Sequence, residues 1–194
     1  MTEIEIRGEI KKIDFAGLMK LLDEKGKLND HYHRISVDLS LGFNEKTRKW
    51  SNPSGVDLRI KKSGDSEKIS VKIGNFAIKS RKEIEVNLVK GEMEKAVEMF
   101  MVLGFDKGMI YAWESWEYQY KNYEVKLSKF SENYYMWEIE SGEKGEDPDV
   151  LANELGLVSL SPADYRKAID WQNLNVHSLF SLEKLKDLLT KAEK

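Results

Sequence analysis

The residues able to do chemistry in this chain are charged and come at two-residue spacing. Glu3-Ile4-Glu5-Ile6-Arg7 stands near the start, and the same glutamate spacing returns in Glu83-Ile84-Glu85 and Glu138-Ile139-Glu140. On a strand, alternate side chains share a face, so each pair presents two carboxylates roughly 6.5–7 Å apart. Carboxylates placed like this repel unless cations lie between or opposite them. Oxygen-only ligands at this spacing suit Mg²⁺ or Mn²⁺ better than zinc. A solvated sheet face would carry the same pattern, so the remaining charges and the elements that hold them decide between the two.

Those elements follow from apolar periodicity. A first strand spans about residues 2–10, with Ile4 and Ile6 on one face and Glu3, Glu5 and Arg7 on the other. Asp14 is placed to cap a helix whose Phe15, Leu18, Met19 and Leu22 form one apolar face, closed by Gly26. That face is expected to pack on the isoleucines of the first strand. Strict alternation follows over Arg34–Leu41, then over Val56–Lys61 and Ile69–Ile73, and then in the strand holding Arg81, Glu83, Glu85 and Asn87. A second helix is expected over about 91–103, and further strands over Tyr111–Tyr120, Val125–Leu127 and Tyr134–Glu140. Strand, glutamate pair and glycine-stopped helix thus occur twice, a duplication of pattern and not of identity. Beyond a charged, glycine-bearing stretch at 142–149 the pattern turns helical, with Pro148, Ser161-Pro162 and Ser181 at helix starts.

Composition bounds the class. The chain has 194 residues, 41% hydrophobic and 34% charged, with net charge −3 and no cysteine. Thiolate metal sites, disulfides and a cysteine nucleophile are therefore excluded. Bulk basicity does not mark a nucleic-acid protein. No apolar run approaches the ~18 residues of a membrane span, and no secretory leader is evident, so a cytoplasmic chain with no membrane partner is expected. His31 and His33 read as a polar loop, His177 stands alone, and neither a phosphate-loop glycine motif nor a nucleophile elbow is present.

On the shared faces the anions are Glu3, Glu5, Glu83, Glu85, Glu138 and Glu140, and the cations are Arg7, Arg59, Lys61, Lys72, Arg81 and Lys126. A sheet of eight or nine strands with helices on its apolar face tends to curl, and closure removes its edges. Dry burial of so many ions would cost several kcal/mol each. A closed charged face must therefore be wet or filled by a ligand of mixed partners, such as a hard cation and phosphate oxygens.

These residues resemble the motifs of the CYTH superfamily, the triphosphate tunnel metalloenzymes. Glu3, Glu5 and Arg7 resemble its E-x-E-x-K hallmark, with arginine for lysine. Leu58-Arg59-Ile60-Lys61, then Lys72, then Arg81-Lys82-Glu83-Ile84-Glu85 resemble its central signature, and Glu138-Ile139-Glu140 its final E-I-E. The resemblance covers residues 1 to about 140. It implies an α+β fold: a closed eight-stranded antiparallel β-barrel, the tunnel, with helices outside. On that basis 1–145 form the tunnel domain and 146–194 a helical extension packed on it. It further implies Glu3, Glu5, Glu83, Glu85, Glu138 and Glu140 as metal ligands, with Glu5 and Glu85 closest to the chemistry. Arg7, Arg59, Lys61, Lys72, Arg81 and Lys126 are implied as substrate ligands.

The implied function is divalent-metal-dependent hydrolysis of tripolyphosphate, a nucleoside triphosphate or thiamine triphosphate, with Mg²⁺ or Mn²⁺ as cofactor and a homodimer left open. Two alternatives stand beside it: a class IV-like adenylate cyclase, and a protein that binds polyphosphate or nucleotide without turnover. The second half departs from the family pattern, with Trp113-Glu114-Ser115 in place of K-x-R and Ser128 in place of an aspartate. Trp113 and Trp116 are read either as strand packing or as a stack for an organic group of the substrate.

Overall fold

The computed structural model describes residues 4–50, 56–74, 82–141 and 146–192. In chain order the elements begin β1 (Glu5–Ile10), α1 (Lys12–Lys25), β2 (Lys27–Leu39), β3 (Phe43–Asn44), β4 (Lys49–Trp50), β5 (Val56–Ser63), β6 (Ser66–Ile73) and β7 (Lys82–Leu88). There follow α2 (Met93–Val102), β8 (Gly108–Tyr120), β9 (Tyr123–Ser131), β10 (Tyr134–Ser141), α3 (Pro148–Glu154), α4 (Pro162–Asn175), β11 (Ser178–Leu179) and α5 (Leu182–Ala192). The fold is α+β. Its large antiparallel sheet has nine strands in the order β1-β10-β9-β8-β2-β5-β6-β7, with β11 on β8, and β3 and β4 form a separate hairpin.

The chain divides into two compact units, one from residues before 33 with 113–165, the other from 33–112 with 166 onward, within the described residues. In the first unit, Ile6 of β1 joins Val125, Leu127, Tyr135, Trp137 and Ile139 of the sheet, and α1 lays Phe15, Leu18 and Leu22 on them. The helix therefore packs where its period-3.6 face requires. It starts at Lys12 with Lys11 at the cap position and no side-chain cap, so Asp14 lies in its first turn and is not the cap. An acidic group there still opposes the positive end of the helix dipole. β1 depends on Gly8: a Cβ at that position would collide with the Trp137 ring and the Val158 carbonyl. The close approach lets the segment after α3 bond to β1, Leu160 N–H donating to the Arg7 carbonyl at 2.8 Å.

In the second unit, Ile35, Val37 and Leu39 of β2 and Leu58 and Ile60 of β5 meet Met93, Ala96 and Val97 of α2 and Leu185 of α5. Both serine caps expected near the C-terminus are made: Asp164 N–H donates to Ser161 Oγ at 3.1 Å, and Lys184 N–H to Ser181 Oγ at 3.2 Å. β2 is longer than its alternation predicts, and His31 and His33 lie within it and not in a loop. Its N-terminal half has only Leu28 and Tyr32 as apolar side chains, too few for a period-2 signal.

Helix α2 begins under a strand carboxylate. Glu67 of β6 accepts from Met93 N–H at 2.8 Å and from Lys62 Nζ at 3.0 Å, and both side chains are buried. Burial pushes the Glu67 carboxyl up, but Lys62 and the Gly91 and Met93 amides outweigh it and hold it below its ordinary value. Breaking a buried pair leaves an uncompensated charge, which costs about 3–5 kcal/mol. Glu67→Ala is expected to lower the unfolding free energy by that order in urea titration, well above the cost of an exposed pair such as Lys95–Glu92.

Candidate functional site

Register decides which charges meet. In the first unit, β1 pairs with β10 so that Arg7 faces Glu138 and Glu5 faces Glu140, and β10 pairs with β9 so that Glu138 faces Lys126. Arg7 Nη2 lies 3.0 Å from Glu138 and also bonds Glu5. Arg7 Nη1 donates to the Tyr165 hydroxyl at 2.9 Å, with the guanidinium 5.0 Å from that ring's centre. Lys126 lies 3.1 Å from Glu117 and 3.5 Å from Glu124. The repulsion expected between Glu5 and Glu138 is thus relieved by a shared arginine.

The second unit repeats the device. Lys61 of β5 sits 3.7 Å from both Glu83 and Glu85 of β7. Lys72 lies 3.1 Å from Glu83, and Lys68 2.8 Å from Glu85. Ser70 Oγ donates to Glu83. Burial pushes the Glu83 carboxyl up, but Ser70, Lys72 and Lys61 together bring it down to about 2. Burial, helped by the Arg59, Arg34 and Lys68 charges, brings the Lys61 ammonium down to about 8 against the pull of Glu83. Arg59 is held by Asp57 of its own strand, through Nε at 3.0 Å and Nη2 at 2.7 Å, and has Asp38 of β2 at 3.5 Å.

Of the site residues expected from sequence, Glu3 and Arg81 lie outside the described residues. Glu5, Arg7, Lys126, Glu138 and Glu140 share the polar face of the first unit. Arg59, Lys61, Lys72, Glu83 and Glu85 share that of the second. Among the described residues no three acidic or histidine side chains converge into a preformed metal cage. The donor type still fits Mg²⁺ or Mn²⁺, because Mg²⁺ is commonly held by one or two carboxylates with water and substrate phosphate completing its shell.

Sequence reasoning missed Asp38 and Asp57 as site residues, although alternation put both on the polar face. What it lacked was the register, which sets Asp38 directly against Arg59. Tyr165, reaching Arg7 from α4, had no sequence signal. Two of the three positions at which the sequence departs from the resembled pattern lie together. Ser115 and Ser128 are register partners, with their hydroxyls 3.0 Å apart and buried. Trp116 packs edge-on to Phe15 at 5.9 Å and stacks on His31, on the apolar side. Trp113 stacks on Phe130 at 5.1 Å, on the side of Ser115 and Glu117.

No protein-family profile matches the chain, and no curated protein matches its sequence. Solved structures do match. A protein of Pyrococcus horikoshii superposes with TM-score 0.65 at 20% identity, over 85% of this chain and 98% of its own. A candidate adenylate cyclase of Vibrio parahaemolyticus gives 0.60 at 14%, over 84% and 92%. A candidate adenylyl cyclase of Hippeastrum, described as having a dominant triphosphatase activity, gives 0.50 at 14%, over 82% and 90%. The chain therefore shares its overall fold with these proteins.

A carboxylate held below its unfolded value adds stability that is complete above that value and lost as pH falls through the folded one. For Glu83 the window runs from the ordinary 4.5 down to about 2. Glu83→Gln is expected to remove this part of the acid transition, leaving a shallower fall in thermal midpoint between those pH values than in the parent. Equal slopes in the two proteins would refute the pairing.

Proposed function

We propose that the chain is a divalent-metal-dependent hydrolase of a triphosphate, inorganic or carrying a small organic group, acting on the polar face of its sheet. The supporting observation is the matched ladder of glutamates with arginines and lysines at half-buried positions, on a fold shared with cyclase candidates and a protein described as a triphosphatase. Partial burial of this many ions is costly as a purely structural device. The cost is understandable where a ligand brings both signs of charge. The closed barrel expected from sequence, with its helical extension after residue 145, is part of this reading.

In it, Lys61, Lys72, Arg59, Arg7 and Lys126, with Arg81, take phosphate oxygens. Glu5, Glu83, Glu85, Glu138 and Glu140, with Glu3, turn to the cation. A bound Mg²⁺ or Mn²⁺ would supply charge neutralisation at phosphoryl oxygens and a more acidic water. The side chains position and neutralise, with no covalent adduct to the protein required. Because Lys61 loses its proton near pH 8, its hold on phosphate weakens above that value.

The test is incubation with Mg²⁺ or Mn²⁺ and either tripolyphosphate or ATP. Orthophosphate release is expected, and Glu85→Gln should lower it about a hundredfold, the lower range for loss of one electrostatic group. Cyclic nucleotide in place of orthophosphate would establish the cyclase alternative, and tight binding without product the non-catalytic one. No product and no binding would end the proposal.

An organic group on the substrate is favoured by one feature. Trp113, Phe130 and Tyr134 make a linked aromatic run in the first unit, with ring centres 5.1 and 5.8 Å apart. If that run receives the organic group, Trp113→Ala should weaken a nucleoside triphosphate about tenfold relative to tripolyphosphate in paired binding titrations. An unchanged ratio assigns the run to packing.

A further inference from the structure

Arg59 is anchored from a distance. Its Nε and Nη2 are engaged by Asp57, and Nη1 makes no hydrogen bond among the described residues. Behind it, Asp38 is buried and accepts from Ser36 Oγ at 2.6 Å and from the Tyr111 hydroxyl at 2.8 Å. Two carboxylates against one guanidinium leave an excess of negative charge. Burial of Asp38 aggravates this by pushing its carboxyl up against the pull of Arg59. Arg59 opposes that rise most, and the Ser36 and Tyr111 hydroxyls add to the opposition by donating to the Asp38 carboxylate, so the hydroxyls fix where Asp38 stands against Arg59.

Tyr111 is in turn fixed by the C-terminal part of the chain. Its ring stacks on His177 with centres 3.8 Å apart and planes at 16°. His177 Nδ1 lies 2.9 Å from Asn173 Oδ1. The Asn173 amide can point only one way, because its Nδ2 donates to the Arg48 carbonyl at 3.0 Å, so Nδ1 of His177 carries the hydrogen. Arg48 returns the contact, Nη1 donating to the Asn173 carbonyl at 3.0 Å. Burial and the nearby Arg59 charge hold His177 neutral, down to about 3, so it is a spacer and not a competing cation. Gly108, where a Cβ would collide with the Asp38 carbonyl, lets β8 bring Tyr111 this close.

We propose that Tyr111, His177 and Asn173 are positioning residues for Arg59: acting through Asp38, they hold the guanidinium so that Nη1 is presented to a phosphate oxygen. The purpose of that alignment rests on the triphosphate reading, but the coupling itself is defined without any ligand. It gives the C-terminal helices a part in the candidate site, through α4 and the turn after it.

The experiment combines two measurements. In the ligand-free protein, the Arg59 Nε–H proton is followed by ¹⁵N NMR in the parent, in Tyr111→Phe, which removes one hydroxyl, and in His177→Phe, which keeps a ring but drops the bond to Asn173. Exchange of that proton is expected to be about tenfold faster in both variants, as for loss of one net hydrogen bond. In parallel, the affinity for tripolyphosphate with Mg²⁺ is measured in a double-mutant cycle. Tyr111→Phe should weaken binding about tenfold in the parent and have no further effect in Arg59→Gln. Unchanged Arg59 exchange in the variants overturns the proposal, and so does an equal affinity loss in the Arg59→Gln background. Faster exchange in a protein that binds no tripolyphosphate would instead retain the positioning role and reject the functional reading.

Discussion

Matched charge on one face of the sheet is the constraint on which the rest of the structure depends. Arg7 between Glu5 and Glu138, Lys61 between Glu83 and Glu85, and Arg59 between Asp57 and Asp38 are the same solution at three places. Each needs a strand register correct to the residue. A slip by one position would turn these ions into the helix-covered core and turn Ile6, Ile60 and Val37 out of it. The apolar face therefore does more than stabilise: packing of α1 on β1 and β10, and of α2 and α5 on β2 and β5, selects the register that matches the charges.

A face neutralised in this way attracts an anion arriving alone only weakly, because its cations already lie beside carboxylates. The same pairing weakens its attraction for a cation arriving alone. A ligand carrying both signs can exchange the internal pairs for its own, each acid passing to metal and each base to phosphate. On the proposed function this is the physical origin of a joint requirement for metal and triphosphate.

Much of this was legible in the sequence, for identifiable reasons. Alternation and helical period placed α1, α2, β5, β6 and β7, and two-residue charge spacing placed every described site glutamate on the polar face. Asp14 failed as a cap because the helix begins a turn earlier with no side-chain cap, which leaves no sequence mark. His31 and His33 failed as a loop because the N-terminal half of β2 has only Leu28 and Tyr32 as apolar side chains, too few to mark a strand. Asp38, Tyr111, His177 and Tyr165 reach the candidate ligands only through register and tertiary packing between segments far apart in sequence. No local pattern encodes those partners.

The central claim, that the paired face opens to metal and phosphate together, is tested most directly by calorimetric titration of tripolyphosphate with and without Mg²⁺. The account predicts saturable binding in the presence of the metal, weakened as ionic strength rises, and little or none in its absence. Equal binding with and without the metal, or no heat under either condition, would contradict it.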